Sequence, residues 1–301
     1  METAKITFLG TANAVPTKLR NHTSIFIQLS GEGILVDCGE GTQRQFMASE
    51  ISHSKITHIL LTHWHGDHVL GLPGLIQTLA LEGYSKTLHI HGPKGTEKFV
   101  TEMKPFLGSS AEKLQMKVHE IKSGVVLETK DFVINAAEMN HGIPCLGYSL
   151  TLKEKRRIKK SSISKYKLPN SPLLKDLQEG KDIVWQGKKI SSKANTYVEE
   201  SKKITVILDT AYNNNALELA KDSDILICES TFTEKEREKA SEAHHLTAKD
   251  AATIAKKSKS KKLALTHISQ RYEHNTKFIE QEAKSIFKNT FLPKDLDVVE
   301  I

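Results

Sequence analysis

The chain has 301 residues, 38% of them hydrophobic and 26% charged, with a formal net charge of +7 and a pI of about 9.1. That length and composition allow a substantial buried core and exclude a chain too polar to fold, while the excess of positive charge favours an acidic partner such as nucleic acid. No N-terminal or later run is apolar over the length of a signal peptide or membrane span, so a cytoplasmic protein with no membrane partner is expected.

In chain order, short apolar and β-branched runs predict strands at 5–9, 24–29, 33–37 and 56–61. A helical pattern at 70–82, a strand at 87–90 and a helical pattern at 95–106 follow. Further strands are predicted at 132–136, 204–209, 225–229, 263–266 and 297–301, with helical patterns at 247–257 and 277–288. Thr247, with Asp250 three residues later, has the form of a capping box that starts the 247–257 helix. The mixture is α/β, hairpin-like early and alternating between helix and strand late. Cys38, Cys145 and Cys228 stand singly, without a Cys-x-x-Cys pair, and are expected as buried free thiols.

The interval 153–203 breaks this rhythm. Residues 153–160 hold six cations and one anion, and a Ser/Lys/Pro stretch and a short polar hairpin around Trp185 follow. It reads as an insertion, because its apolar residues are too few for a core of its own.

The densest chemistry lies at His63-Trp64-His65-Gly66-Asp67-His68, directly after the apolar run 56–61. Four nitrogen or carboxylate donors within six residues, at the carboxyl end of a strand, suit catalytic zinc. Such a loop supplies too few ligands for two ions. His141, Asp209 and His267 each stand where a predicted strand meets a loop, and an aspartate at Asp209 can bridge two cations.

The pattern His-x-His-x-Asp-His followed by single His, Asp and His resembles the metallo-β-lactamase superfamily. Within it, 37–45 (Asp-Cys-Gly-Glu-Gly-Thr-Gln-Arg-Gln), 16–21 (Pro-Thr-Lys-Leu-Arg-Asn), 141–148, 229–232, 245–248 and 265–272 are similar to the short-form ribonuclease Z family. The resemblance implies a four-layer αβ/βα sandwich, one domain over 1–301 with a flexible tRNA-binding arm inserted at 153–202. It implies two Zn²⁺ per subunit: His63, His65 and His141 on one, Asp67, His68 and His267 on the other, and Asp209 between them. Mn²⁺ or Fe²⁺ suits the same donors. Asp37 would support the histidine loop by hydrogen bonding.

By the same resemblance the chain is a zinc endoribonuclease that removes the 3′ trailer from precursor tRNA, leaving a 3′-hydroxyl on the tRNA and a 5′-phosphate on the trailer. Asp67 would orient or deprotonate the attacking water, His245 would protonate the leaving oxygen, and Glu229 would orient His245. Lys18, Arg20 and Asn21 would contact the RNA near the metals, and Lys155, Arg156, Arg157, Lys159 and Lys160 would grip tRNA from the arm. A homodimer is implied as well. Two departures concern the arm, where Pro169-Asn170-Ser171-Pro172 replaces the usual Gly-Pro element, and Leu208, which replaces a glycine before Asp209. The competing readings are another dinuclear-zinc hydrolase acting on small phosphodiesters or esters, and a non-catalytic RNA-binding relative that has lost its zinc.

Overall fold

Strands β1 (Lys5–Gly10), β2 (Ser24–Leu29), β3 (Glu32–Val36), β4 (His58–Leu60), β5 (Leu88–Gly92) and β6 (Met116–Glu120) follow one another in the first part of the chain, then β7 (Gly124–Glu128), β8 (Phe132–Glu138) and β9 (Leu146–Leu152). β10 (Lys155–Ile158), β11 (Ile183–Trp185), β12 (Lys188–Ile190) and β13 (Thr196–Glu199) lie in the inserted segment. β14 (Lys202–Ile207), β15 (Ile225–Glu229), β16 (Leu263–Thr266), β17 (Thr290–Phe291) and β18 (Val298–Glu300) complete the set. The structure, a computed structural model, describes residues 3–301.

Two seven-stranded mixed sheets result, in the orders β18-β1-β2-β3-β4-β5-β6 and β17-β16-β15-β14-β9-β8-β7. β3 to β6 run parallel, as do β14 to β17, whereas β18, β1, β2 and β3 are antiparallel neighbours. Parallel strands need both faces covered, which explains their unbroken apolar runs. On the first sheet, helices Leu72–Leu81 and Thr96–Leu107 pack Leu75, Ile76, Leu79 and Val100 with Leu35, Ile59 and Ile90. On the second, helices Asn214–Ala220, Ala248–Lys257 and Thr276–Lys284 cover Ile207, Leu226, Cys228 and Leu265. Burying each such side chain is worth about 1.5–3 kcal/mol.

The sheets meet through fully buried Tyr148 on β9, whose hydroxyl donates to the Leu61 carbonyl at 2.7 Å, and through the Leu146 N–H, which donates to the Thr62 carbonyl at 2.9 Å. The order helix, sheet, sheet, helix is the expected αβ/βα sandwich. The capping box of the Ala248–Lys257 helix is present, with Thr247 and Asp250 satisfying each other's backbone N–H groups. All three cysteines are buried and unbridged. Among the described residues no helix is long and apolar enough to cross a membrane.

Residues 151–202 form a compact unit of their own. β10 pairs antiparallel with β13, and β11 with β12 as a hairpin in which Trp185 faces Lys188. The expectation that this segment lacks a core is corrected here. Leu168, Leu177, Ile183 and Ile190 are buried together, with Ile163, Leu173, Leu174 and Trp185 packed on them. Those side chains are spread in ones and twos through polar sequence, and the hairpin and the helices Lys160–Tyr166 and Pro172–Gln178 bring them into one cluster.

Candidate active site

The parallel strands set the site, because loops at their carboxyl ends open on a common edge. Asp37 follows β3, His63 follows β4, Asp209 follows β14, Glu229 ends β15 and His267 follows β16. Two glycines let these loops approach. A Cβ at Gly39 would stand 2.4 Å from the Asp67 carbonyl oxygen, and one at Gly71 2.1 Å from the Gly39 carbonyl oxygen. In the space so left, the Cys38 N–H donates to the His68 carbonyl at 2.7 Å, tying the two loops.

Seven side chains converge in two groups that share one member. In the first, His63 Nε2 and His141 Nε2 lie 3.0 and 3.2 Å from His65 Nδ1, and 3.6 and 3.5 Å from Asp209 Oδ2. In the second, Asp67 Oδ2 lies 3.3 Å from both His68 Nε2 and His267 Nε2, which are 3.4 and 3.1 Å from Asp209 Oδ1. Asp209 thus gives one oxygen to each group. Donors about 2.0–2.1 Å from a tetrahedral zinc stand about 3.3 Å from each other, the spacing seen in both groups.

Two orphaned atoms support the fit. His68 Nε2 and Asp209 Oδ1 are buried without a hydrogen-bond partner, an arrangement that a cation between them would resolve. Burial works against charge on His68, yet Asp209 and Asp37 raise its pKa well above that of free imidazole, so the pocket favours positive charge. Burial likewise opposes charge on Asp67, but hydrogen bonds from His267 and His68 hold it ionised, well below the usual carboxylate range. Burial, with the neighbouring histidines adding to it, pushes the pKa of His63 well down, the neutral form that ligation needs.

The ring orientations come from two matching carboxylate clusters. Asp37, fully buried at the end of β3 with φ +56°, accepts from the Thr62 N–H and the Thr62 hydroxyl at 2.7 Å each and from His68 Nδ1 at 2.5 Å. Having donated its only proton, the Thr62 hydroxyl can only accept from His63 Nδ1, 3.0 Å away. Glu229, also fully buried, accepts from the Thr210 N–H at 2.8 Å, His245 Nδ1 at 2.9 Å and the Thr231 hydroxyl at 2.6 Å. Thr231 then accepts from His267 Nδ1 at 2.7 Å. His141 Nδ1 faces the His244 carbonyl at 3.1 Å. His63, His68, His141 and His267 therefore carry the proton on Nδ1 and aim Nε2 into the site, an orientation that metal-binding histidines commonly take from such partners.

His245 Nε2 lies 3.9 Å from Asp209 Oδ2, at the border of the two groups. Burial alone would lower its pKa, but Glu229 outweighs it and raises it to about 9. At neutral pH the group is an imidazolium with a proton facing the site. The arrangement can hold two divalent cations, bind an anion against them and deliver one proton.

Relatives place this geometry. A protein named Ribonuclease Z from Nanoarchaeum equitans is 37% identical over 297 residues, covering 98% of this chain and 92% of its own length. Another from Enterococcus faecalis is 37% identical over 309 residues, covering 99% and 97%. The chain belongs to the ribonuclease Z family. A model of the Anti-Pycsar protein Apyc1 family also matches residues 4–198, whereas the ribonuclease Z relatives match nearly end to end. The crystal structure of human tRNase Z, short form, superposes with a TM-score of 0.71 at 27% identity, covering 98% of both chains. The metallo-β-lactamase fold protein YhfI from Bacillus subtilis, 19% identical with a TM-score of 0.72 and full coverage of both chains, shows the same fold. The family and fold imply use of divalent metal, and the His and Asp groups above suit it.

The sequence-predicted metal ligands, His245, Glu229 and Asp37 are all brought together. Arg20 is corrected. It is only 7% exposed, and its guanidinium donates to the Pro293 carbonyl and the Thr11 hydroxyl, so it anchors the loop to the C-terminal segment instead of meeting solvent phosphate. Asn21 likewise donates its N–H to Asp295 and its side-chain amide to the Glu40 carbonyl, which leaves exposed Lys18 as the loop's outward cation. In the inserted unit Arg157 pairs with Glu199 at 2.9 Å, Arg156 donates to Thr196 and Lys159 to the Ala194 carbonyl, while Lys160 is exposed. The hydroxyls of Thr62 and Thr231 were assigned no role from sequence. Thr62 directly precedes His63 and Thr231 stands two residues after Glu229, which was the available signal.

Proposed function

We propose that this ribonuclease Z family member is a tRNA 3′-processing endoribonuclease that uses two zinc ions, with Mn²⁺ or Fe²⁺ as alternatives for the same donors. The single observation that carries the reading is Asp209, with one oxygen in each donor group. When bound, the ions would supply Lewis-acid stabilisation of phosphoryl oxygens and activation of water. Asp67, ionised and held by His68 and His267, orients the attacking water or accepts its proton. The 3′-oxygen of the last tRNA residue leaves poorly as an alkoxide, and the imidazolium of His245 faces the position from which to protonate it. Glu229 holds that ring by Nδ1, so the proton is delivered from Nε2. The products are a tRNA 3′-hydroxyl and a trailer 5′-phosphate.

In this reading, the 153–202 segment binds tRNA through Lys155, Arg156, Arg157, Lys159 and Lys160, and Lys18 contacts the RNA near the metals. Folded RNA is recognised largely through shape and backbone charge, which a compact basic unit suits. Zinc-loaded protein is expected to make one cut in a 3′-extended precursor tRNA beside the unpaired discriminator base. Deleting 153–200 is expected to weaken that cut at least tenfold more than hydrolysis of a small chromogenic phosphodiester. Turnover of the small ester with no cut in precursor tRNA would leave the small-substrate hydrolase. A homodimer belongs to the same reading, since Leu19, Met47, Leu70 and Leu81 are between 62 and 70% exposed and offer apolar surface to a second copy. Light scattering should give twice the 33.6 kDa of one chain, and a monomer would reject it.

A further inference from the structure

The first sheet carries a second group of histidines that the hydrolytic site does not use. His58 opens β4, whereas His63 follows its far end, and five residues of extended chain separate them by roughly 16 Å. His58 pairs in register with His89 on β5, and His91, two residues further along β5, pairs with His119 on β6. Strand alternation puts His89 and His91 on one face. The rings stack nearly parallel, with centroids 5.0 Å apart for His58 and His89, 5.4 Å for His58 and His91, and 4.6 Å for His91 and His119.

His58 Nδ1 lies 3.1 Å from His91 Nε2, and His89 Nδ1 lies 3.1 Å from His119 Nε2. One nitrogen from each of His58, His89 and His91 falls within 4.8 Å of the other two. His91 is 4% exposed and its Nδ1 has no hydrogen-bond partner, so a protein-only network leaves this cluster unsatisfied.

We propose that His58, His89 and His91 form a separate transition-metal site for a late first-row divalent ion, Zn²⁺ or Cu²⁺, held by imidazole nitrogen alone. A His-x-His pair on one strand and a third histidine on the next bring three nitrogens toward one point, and imidazole donors select such ions over Mg²⁺ or Ca²⁺. Burial, reinforced by the neighbouring rings, lowers the pKa of His58 to about 4 and of His91 to about 3, so both are neutral at pH 7 and give up no proton on binding. Glu32 acts on His58 and His89 with favourable charge, and Lys117 acts on His89 against it. An ion here clips two parallel strands, β4 and β5, near one edge of the sheet.

The test is metal content of the full chain after zinc saturation and gel filtration, with Cu²⁺ binding followed by electron paramagnetic resonance. The wild-type chain should retain three zinc ions, two at the hydrolytic site and one here. The double substitution H58Q/H91Q should retain two and lose the nitrogen-coupled Cu²⁺ signal of this site. Because that pair is buried and the variant could fail to fold, H89Q at a half-buried position is the second variant, expected to retain two ions with phosphodiester hydrolysis intact. Two ions in the wild-type chain, or three in H89Q, would overturn the proposal. Neither outcome touches the hydrolytic site, whose own two ions are counted in the same experiment.

Discussion

Replacing Asp209 by alanine is expected to lower kcat/KM for precursor tRNA by more than ~10³-fold and to leave fewer than two ions at the hydrolytic site. Losing a group that only orients a metal-binding histidine costs roughly 10–100-fold in affinity or activity. Asp209 is a direct donor to both groups at once, through Oδ2 toward His63 and His141 and through Oδ1 toward His68 and His267. It is 2% exposed, and the following residue, Thr210, is held by Glu229 through its N–H. Its removal would also take away the negative charge that would offset two cations held by these groups. D209N keeps one oxygen and loses that charge, so it should retain more metal than D209A and still cut slowly. Metal analysis beside single-turnover cleavage checks both statements. A D209A chain with two ions at this site and activity within tenfold of wild type would refute the bridge.

The sandwich was largely legible because its parallel strands are buried on both faces and read as continuous apolar runs, and the predicted 225–229 and 263–266 strands coincide with the observed ones. β6 and β7 were missed for the opposite reason. Met116–Glu120 and Gly124–Glu128 lie at sheet edges and are half-exposed; Lys117, His119 and Glu120 interrupt the first, and the second holds only the short apolar run Val125–Leu127. His63 to His68 announced themselves by density, and His141, Asp209 and His267 by position at strand ends. Arg20 shows the limit of that logic. A cation in a polar loop looks outward on the page, and only the C-terminal segment carrying Pro293 and Asp295, more than 270 residues away, turns it inward. Thr62 and Thr231 were silent for a related reason, since a hydroxyl's role is set by which neighbour takes its proton. The histidines at 58, 89, 91 and 119 are too far apart in the chain to suggest a cluster until the sheet register aligns them.

The His245–Glu229 pair yields the second large effect. H245A should lower kcat on precursor tRNA by ~10²–10⁴-fold, the usual range for a positioned proton donor. The same variant should lose far less on a p-nitrophenyl phosphodiester, whose leaving group departs as an anion and needs no proton. A ring needed only for packing would lower both alike, so the ratio separates donation from support. Because His245 acts in its protonated form, the rate is full below its pKa and falls as pH rises through it. Glu229 raises that pKa to about 9 against the effect of burial, while bound cations pull it down, so the descending limb should lie at or below pH 9. E229Q keeps an oxygen for Thr210 and His245 but removes the charge, so the limb must move to lower pH. It also presents an NH₂ to Thr231, whose hydroxyl must then turn its proton toward the His267 carbonyl, 3.2 Å away, and accept from both the amide and His267 Nδ1. A pH limb unchanged in E229Q, with metal content intact, would mean that Glu229 does not set the proton on His245.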